Sequence, residues 1–137
     1  MSQENVELAR RSVDAFNRRD LDALLALMDE DVEGVPPLAS MEGSYHGHAG
    51  IRRWWESLFQ GLPDFTIEVV EVRDPGDLTI AVLRNHAHGA VSGTPIEQRL
   101  WLVGKWRNRK VVWWQTFRDE AQALEAVGLS EQAPGSN

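Results

Sequence analysis

Apolar residues in the first sixty positions recur at the spacing of amphipathic helices. A first helix is predicted to begin at Ser2 and to end near Arg19, with apolar side chains at positions 6, 9, 13 and 16. Asp20 can cap a second helix, and a third, with apolar positions 51, 54, 55 and 58, is expected to end around Gly61. A short strand, Asp31 to Val35, is expected between the second and third helices.

The apolar period changes to two after Pro63, which predicts a run of strands. Four strands are expected: Phe65 to Val69, Leu78 to Val91, Ile96 to Trp106 and Val111 to Arg118. A last helix should cover Glu120 to Val127 and stop at Gly128, followed by a disordered tail at 130–137. The order α-α-β-α-β-β-β-β-α predicts a single α+β domain over residues 1–129, with helices on one face of a curved sheet.

Composition narrows the function classes. The 137 residues include six tryptophans, more than a core of this size usually needs, which favours a pocket with aromatic walls. There is no cysteine, no apolar run long enough to cross a bilayer and no signal-like start, so a soluble, cytoplasmic protein is expected. The net charge of −7, with no basic stripe, argues against nucleic acid and membrane partners.

Alternation along the strands sorts the candidate polar groups into faces. Arg99 and Trp101 share one face of their strand with Glu97. His86 and His88 share a strand face with Arg84, but no third ligand is evident, so no metal site is predicted.

Several strings resemble the nuclear-transport-factor-2-like superfamily, in particular its SnoaL-like, polyketide-cyclase-like branch. They are Ala15-Phe16-Asn17-Arg18-Arg19-Asp20, Asp31-Val32-Glu33, Gly47-His48-Ala49-Gly50-Ile51-Arg52-Arg53-Trp54-Trp55, Ser92-Gly93, and Phe117-Arg118-Asp119 with the helix to Leu129. The resemblance implies a cone-shaped fold in which a curved, mostly antiparallel sheet wraps around the N-terminal helices and encloses a pocket. It also implies a homodimer through the outer sheet face.

The known chemistries of that superfamily are not matched by this chain. The isomerase base would fall at Val35, and the isomerase oxyanion pair near Ser12 and Arg99. The cyclase acid and histidine would fall near Thr116 and Leu102, and the epoxide hydrolase aspartate also near Thr116. The resemblance therefore implies a fold and a pocket, and leaves open whether the protein is an enzyme.

The pocket parity of the isomerases, carried onto this chain, selects a set of interior side chains: Arg99, Trp101, Trp114 and Thr116. Glu33 is the candidate base, with Arg99 stabilising an anion; the two could instead form a buried ion pair. His46 is an auxiliary catalytic candidate in the loop before the third helix, and the further ligand contacts are Tyr45 and Trp55.

Two main functions follow from these candidates. The first is cofactor-independent isomerisation, cyclisation or hydration of a hydrophobic carbonyl compound, with Arg99→Ala expected to weaken ligand binding or turnover. The second is a non-catalytic module that binds a small molecule in the pocket or a partner on the outer sheet face. A structural dimer with an incidental pocket is a weaker third.

Overall fold

Three helices lie in the N-terminal half of the chain in the computed structural model, which describes residues 2–36 and 43–132. They are α1 (Ser2–Asn17), α2 (Leu21–Ala26) and α3 (Gly47–Gly61). The predicted cap of α2 is confirmed, because the Asp20 carboxylate accepts a hydrogen bond from the Ala23 N–H at 3.1 Å. Of the apolar positions that marked α1 and α3, Ala9, Val13, Phe16 and Ile51 are buried, and positions 6, 54, 55 and 58 are half-buried.

The described residues contain one six-stranded sheet. Its strands are β1 (Met28–Val35), β2 (Tyr45–His46), β3 (Thr66–Arg73), β4 (Leu78–His88), β5 (Pro95–Arg107) and β6 (Lys110–Phe117), in the spatial order β2-β1-β6-β5-β4-β3. Every neighbouring pair is antiparallel except β1 and β6, which run parallel. The sheet is curved and open, so the predicted α+β class and cone-shaped fold are confirmed.

The two faces of the sheet carry separate apolar clusters. The inner face packs on α1, α2 and α3, with Val32, Trp106 and Trp114 in that core. The outer face carries a smaller cluster, in which Ile80 and Val103 pack against the last helix, α4 (Glu120–Gln132).

Two predictions about the C-terminus are therefore wrong. The helices lie on both faces of the sheet, since Ala123 and Val127 of α4 are buried against the outer one. The helix also continues through Gly128 to Gln132, because one glycine costs an interior turn only about 1 kcal/mol. The predicted tail from 133 to 137 lies outside the described residues. None of the described helices is long and apolar enough to span a membrane.

Candidate functional site

A cavity of about 320 Å³ lies between the inner face of the sheet and the three N-terminal helices. Its lining is mainly apolar and comes from all three helices and from β3 to β6, with Met28, Pro36 and Tyr45 closing the side of β1. Concave sites of this size with few polar groups are the usual form of small-molecule pockets.

Aromatic rings form one wall of the cavity. The ring of Phe16 stands 5.7 Å from that of Phe65 and 6.1 Å from Trp54, and Trp54 lies 5.1 Å from Trp114. These separations are typical of tilted and edge-on aromatic contacts. The wall therefore links α1, α3 and β6 through rings that pack on one another.

One end of the cavity is formed by buried residues, and two polar side chains there are hydrogen-bonded to each other. Thr79 and Trp106 are both buried, and the Trp106 Nε1–H donates to the Thr79 hydroxyl at 3.0 Å. Gly104 lies opposite Thr79 on β5, and an added Cβ there would be 3.4 Å from the Thr79 hydroxyl oxygen, an ordinary contact distance. Both side chains therefore have a hydrogen-bond partner in this end of the cavity.

The exposure of the lining residues rises toward the other end, which is the mouth. Along β6 it passes from buried Trp114 through half-buried Thr116 to exposed Arg118. Gln98 of β5 is half-buried and Ser57 of α3 is exposed. The polar lining side chains thus gather where the cavity meets solvent.

Two buried polar atoms beside the cavity have no hydrogen-bond partner among the described residues: Asn85 Oδ1 and Trp114 Nε1. Asn85 is 4% exposed and is the Cα partner of Gln98, so two amide side chains lie side by side on the inner face. A buried polar atom without a partner costs about 1–3 kcal/mol, so these two atoms call for an explanation.

Polar contacts fix the segment that joins α3 to β3 and carries the lining residues Leu62 and Phe65. Arg19 donates to the carbonyls of Pro63 and Phe65 at 3.2 and 2.6 Å, and partial burial lowers its pKa. Asp64 accepts from the backbone N–H of His88 at 2.8 Å and lies 2.6 Å from its Nδ1. The hydrogen bond to the His88 side chain is the main reason that the pKa of Asp64 is lowered.

The structure corrects the predicted parity of β5. Leu102 is opposite Thr116 and Trp101 is opposite Phe117, so an inward Thr116 requires an inward Leu102. Arg99 is therefore exposed on the outer face, and Trp101 packs in the outer cluster beside α4. Trp106, which was not in the predicted interior set, lines the cavity.

The three catalytic candidates are not brought to the cavity. Glu33 and His46 are Cα partners across β1 and β2, so the fold places these two together. Glu33 is also the partner of Trp113, on the outer face, and Arg99 lies two strands away from it, on β5. Neither Glu33 nor His46 is among the lining residues, and Glu33 makes no ion pair with Arg99.

Of the predicted ligand contacts, Trp114, Thr116 and Tyr45 line the cavity. Trp55 does not: it packs on Phe16 and Phe59 at 5.5 and 4.8 Å, and its neighbour Trp54 takes the cavity position. Adjacent helical residues point about 100° apart, so only one of the two indoles can face the sheet.

Sequence reasoning missed Asn85, Gln98 and Arg118. A partial signal for the correct face of β5 was present, because Leu100 and Leu102 fall on one face of the strand and the charged Glu97 and Arg99 on the other. His86 lies between Glu68 and Glu97 at 3.7 and 3.8 Å on the outer face. No cluster of three possible metal ligands occurs among the described residues.

The chain belongs to the SnoaL-like domain family, whose sequence pattern matches residues 9–119. A search of curated protein sequences gave no significant match. Membership of this family fits a protein that holds a small molecule in the cone, as the cavity indicates.

Several solved structures share the fold. One is an NTF2-like protein of unknown function from Burkholderia pseudomallei, at 21% identity and a TM-score of 0.78 over 89% of this chain and 95% of that one. A second is TerC co-crystallised with polyporic acid, at 23% identity and a TM-score of 0.76 over 89% and 96%. A third is a putative SnoaL-like polyketide cyclase from Jannaschia sp. CCS1, at 17% identity and 0.76 over 91% and 92%. At these identities the likeness concerns the fold.

Proposed function

We propose that this protein binds a hydrophobic small molecule that carries a polar group, in the cavity between the inner sheet face and α1 to α3. One observation carries the proposal: Asn85 is buried in a mainly apolar lining and its Oδ1 has no hydrogen-bond partner among the described residues. A ligand that donates a hydrogen bond to this oxygen would remove the cost of leaving it unpaired. Pairing of this kind is also how apolar pockets fix the orientation of what they bind.

Binding is favoured over catalysis by the chemistry of the lining. Isomerisation, cyclisation or hydration without a cofactor needs a group that moves a proton, usually a histidine or a carboxylate. Among the described lining residues there is neither, and the ionisable side chains are Tyr45 and Arg118. The co-crystal of the structural neighbour TerC with polyporic acid supports the idea that this fold can hold a small molecule.

The test is to fill the cavity from one strand position and compare it with the next. Thr116 lines the cavity and Gln115 does not, although both are half-buried on β6. We expect Thr116→Phe to abolish the fluorescence gain of the neutral probe N-phenyl-1-naphthylamine, because the ring occupies the space. Gln115→Phe should leave it unchanged. A probe that binds both variants equally well, or does not bind the wild-type protein at all, would rule out this cavity as the binding site.

A further inference from the structure

One end of the cavity carries a positive charge, although most of the lining is apolar. Arg118 carries the only charged side chain among the described lining residues, in a chain whose net charge is −7. It directly follows Phe117, the last residue of β6, and is exposed at the mouth. A ligand that enters therefore meets a cation before it meets the aromatic wall.

None of the carboxylates beside Arg118 forms an ion pair with it in the described part of the chain. Asp119 accepts a hydrogen bond from the Ala121 N–H at 2.7 Å at the start of α4. Glu120 is paired with Arg73 at 3.2 Å. Arg118 itself forms no ion pair or hydrogen bond with any residue in 2–36 or 43–132.

The two ends of the cavity also differ in the polar groups that they offer to a ligand. At the closed end the Thr79 hydroxyl is already engaged by Trp106, so that end offers an apolar surface. The amides of Asn85 and Gln98 are partners at the opposite end of the same strands. A guanidinium and the N–H groups of an amide donate to an oxyanion, whereas the unpaired Asn85 Oδ1 accepts and needs an O–H or N–H of the ligand.

We infer that the ligand is an amphipathic organic acid, with its anionic oxygen group at Arg118 and its apolar body directed toward Trp106. This inference rests on the proposed binding function and specifies the class of ligand and its direction of entry. Carboxylates, enolates and sulfonates share the required chemistry. Guanidinium binds a group with two oxygens, such as a carboxylate, in a planar, two-pronged geometry, and a neutral ligand lacks the charge that strengthens a hydrogen bond to the guanidinium.

Two probes with the same aromatic body test the inference. 1-Anilinonaphthalene-8-sulfonate carries an anionic sulfonate, and N-phenyl-1-naphthylamine lacks it. We expect Arg118→Gln to weaken binding of the sulfonate by about three- to tenfold and to leave the neutral probe within twofold, because only the charge-assisted contact is lost. The wild-type affinity for the sulfonate should fall with added NaCl more steeply than that of the variant.

Arg99→Gln is the matched control, since Arg99 is also exposed but lies on the outer face of β5. It should alter neither affinity. Arg118→Lys, which keeps the charge, should retain most of the sulfonate binding, and thermal melting should show all three variants folded.

The outcomes separate the two proposals. Equal sulfonate affinity in wild type and Arg118→Gln, with the neutral probe still excluded by Thr116→Phe, would overturn the inference and leave the binding proposal standing. Equal losses of affinity for both probes in Arg118→Gln would also overturn it, because the arginine would then contribute through its size and not through its charge. No neutral-probe binding to the wild-type cavity would contradict the binding proposal itself.

Discussion

At the scale of single residues, two buried polar side chains in one strand differ in whether they are satisfied. Thr79 and Asn85 are both on the inner face of β4 and are 3% and 4% exposed. Thr79 accepts the Trp106 N–H, whereas Asn85 Oδ1 has no partner among the described residues. A polar group that weakens the free protein is expected where it serves a ligand.

This contrast predicts opposite effects of two substitutions. Asn85→Leu should raise the free energy of unfolding by about 1 kcal/mol, because it removes an unpaired polar group at similar volume. Thr79→Val should lower it by about 1–2 kcal/mol, because the Trp106 N–H loses its acceptor. Urea denaturation of both variants measures the difference; a large destabilisation by Asn85→Leu would show that Asn85 has a structural role instead.

At the scale of elements, β1 and β6 approach so closely that one glycine decides the shape of the cavity wall. Gly34 is the Cα partner of Trp114, and a Cβ at Gly34 would overlap the indole. The close approach holds the indole against Trp54 of α3 at 5.1 Å. The packing of two strands and a helix thus depends on the absence of one side chain.

Gly34→Ala should therefore destabilise the fold by about 1–3 kcal/mol and shift the tryptophan emission, because Trp114 must move. Gly128→Ala is the control, since it lies inside α4 with no atom within 4 Å of the added methyl group. It should stabilise the protein by about 0.5–1 kcal/mol through helix propensity. Chemical denaturation and fluorescence spectra check both, and a neutral Gly34→Ala would contradict the packing argument.

At the scale of the whole molecule, the outer face of the sheet is divided. Its apolar part is covered by α4, while a charged strip on β3 to β5 is not, with Arg84 between Glu68 and Glu97 at 3.4 and 3.9 Å. The family resemblance implies a homodimer through the outer sheet face, and this strip is the part of that face that α4 leaves uncovered. The mixed charges of the strip allow two copies to face each other with opposite signs in contact.

Sedimentation equilibrium should then give twice the mass of the chain at micromolar concentration. Arg84→Glu would place a third carboxylate between two others and should shift the equilibrium toward the single chain. Arg53→Glu, an exposed position on α3, should not. A single-chain mass for the wild-type protein would contradict the implied dimer.

The helices and strands could be predicted from the sequence because they rest on local periodicity, and an aromatic pocket because it rests on composition. Apolar residues at helical spacing identified α1 to α3, the alternation after Pro63 identified the strands, and the tryptophan content indicated aromatic walls. The periodic signals involve residues that lie only a few positions apart along the chain. The family resemblance then fixed the cone shape that the structure shows.

Only the tertiary structure decided which face of each strand points inward. The pairing of Leu102 with Thr116 places Arg99 outside and brings Asn85, Gln98 and Arg118 to the cavity. A strand's two faces differ by one residue, so the assignment depends on the register with its neighbours, which no single strand encodes. Local pattern and composition therefore indicated a pocket, and the long-range pairing of strands determined which side chains line it.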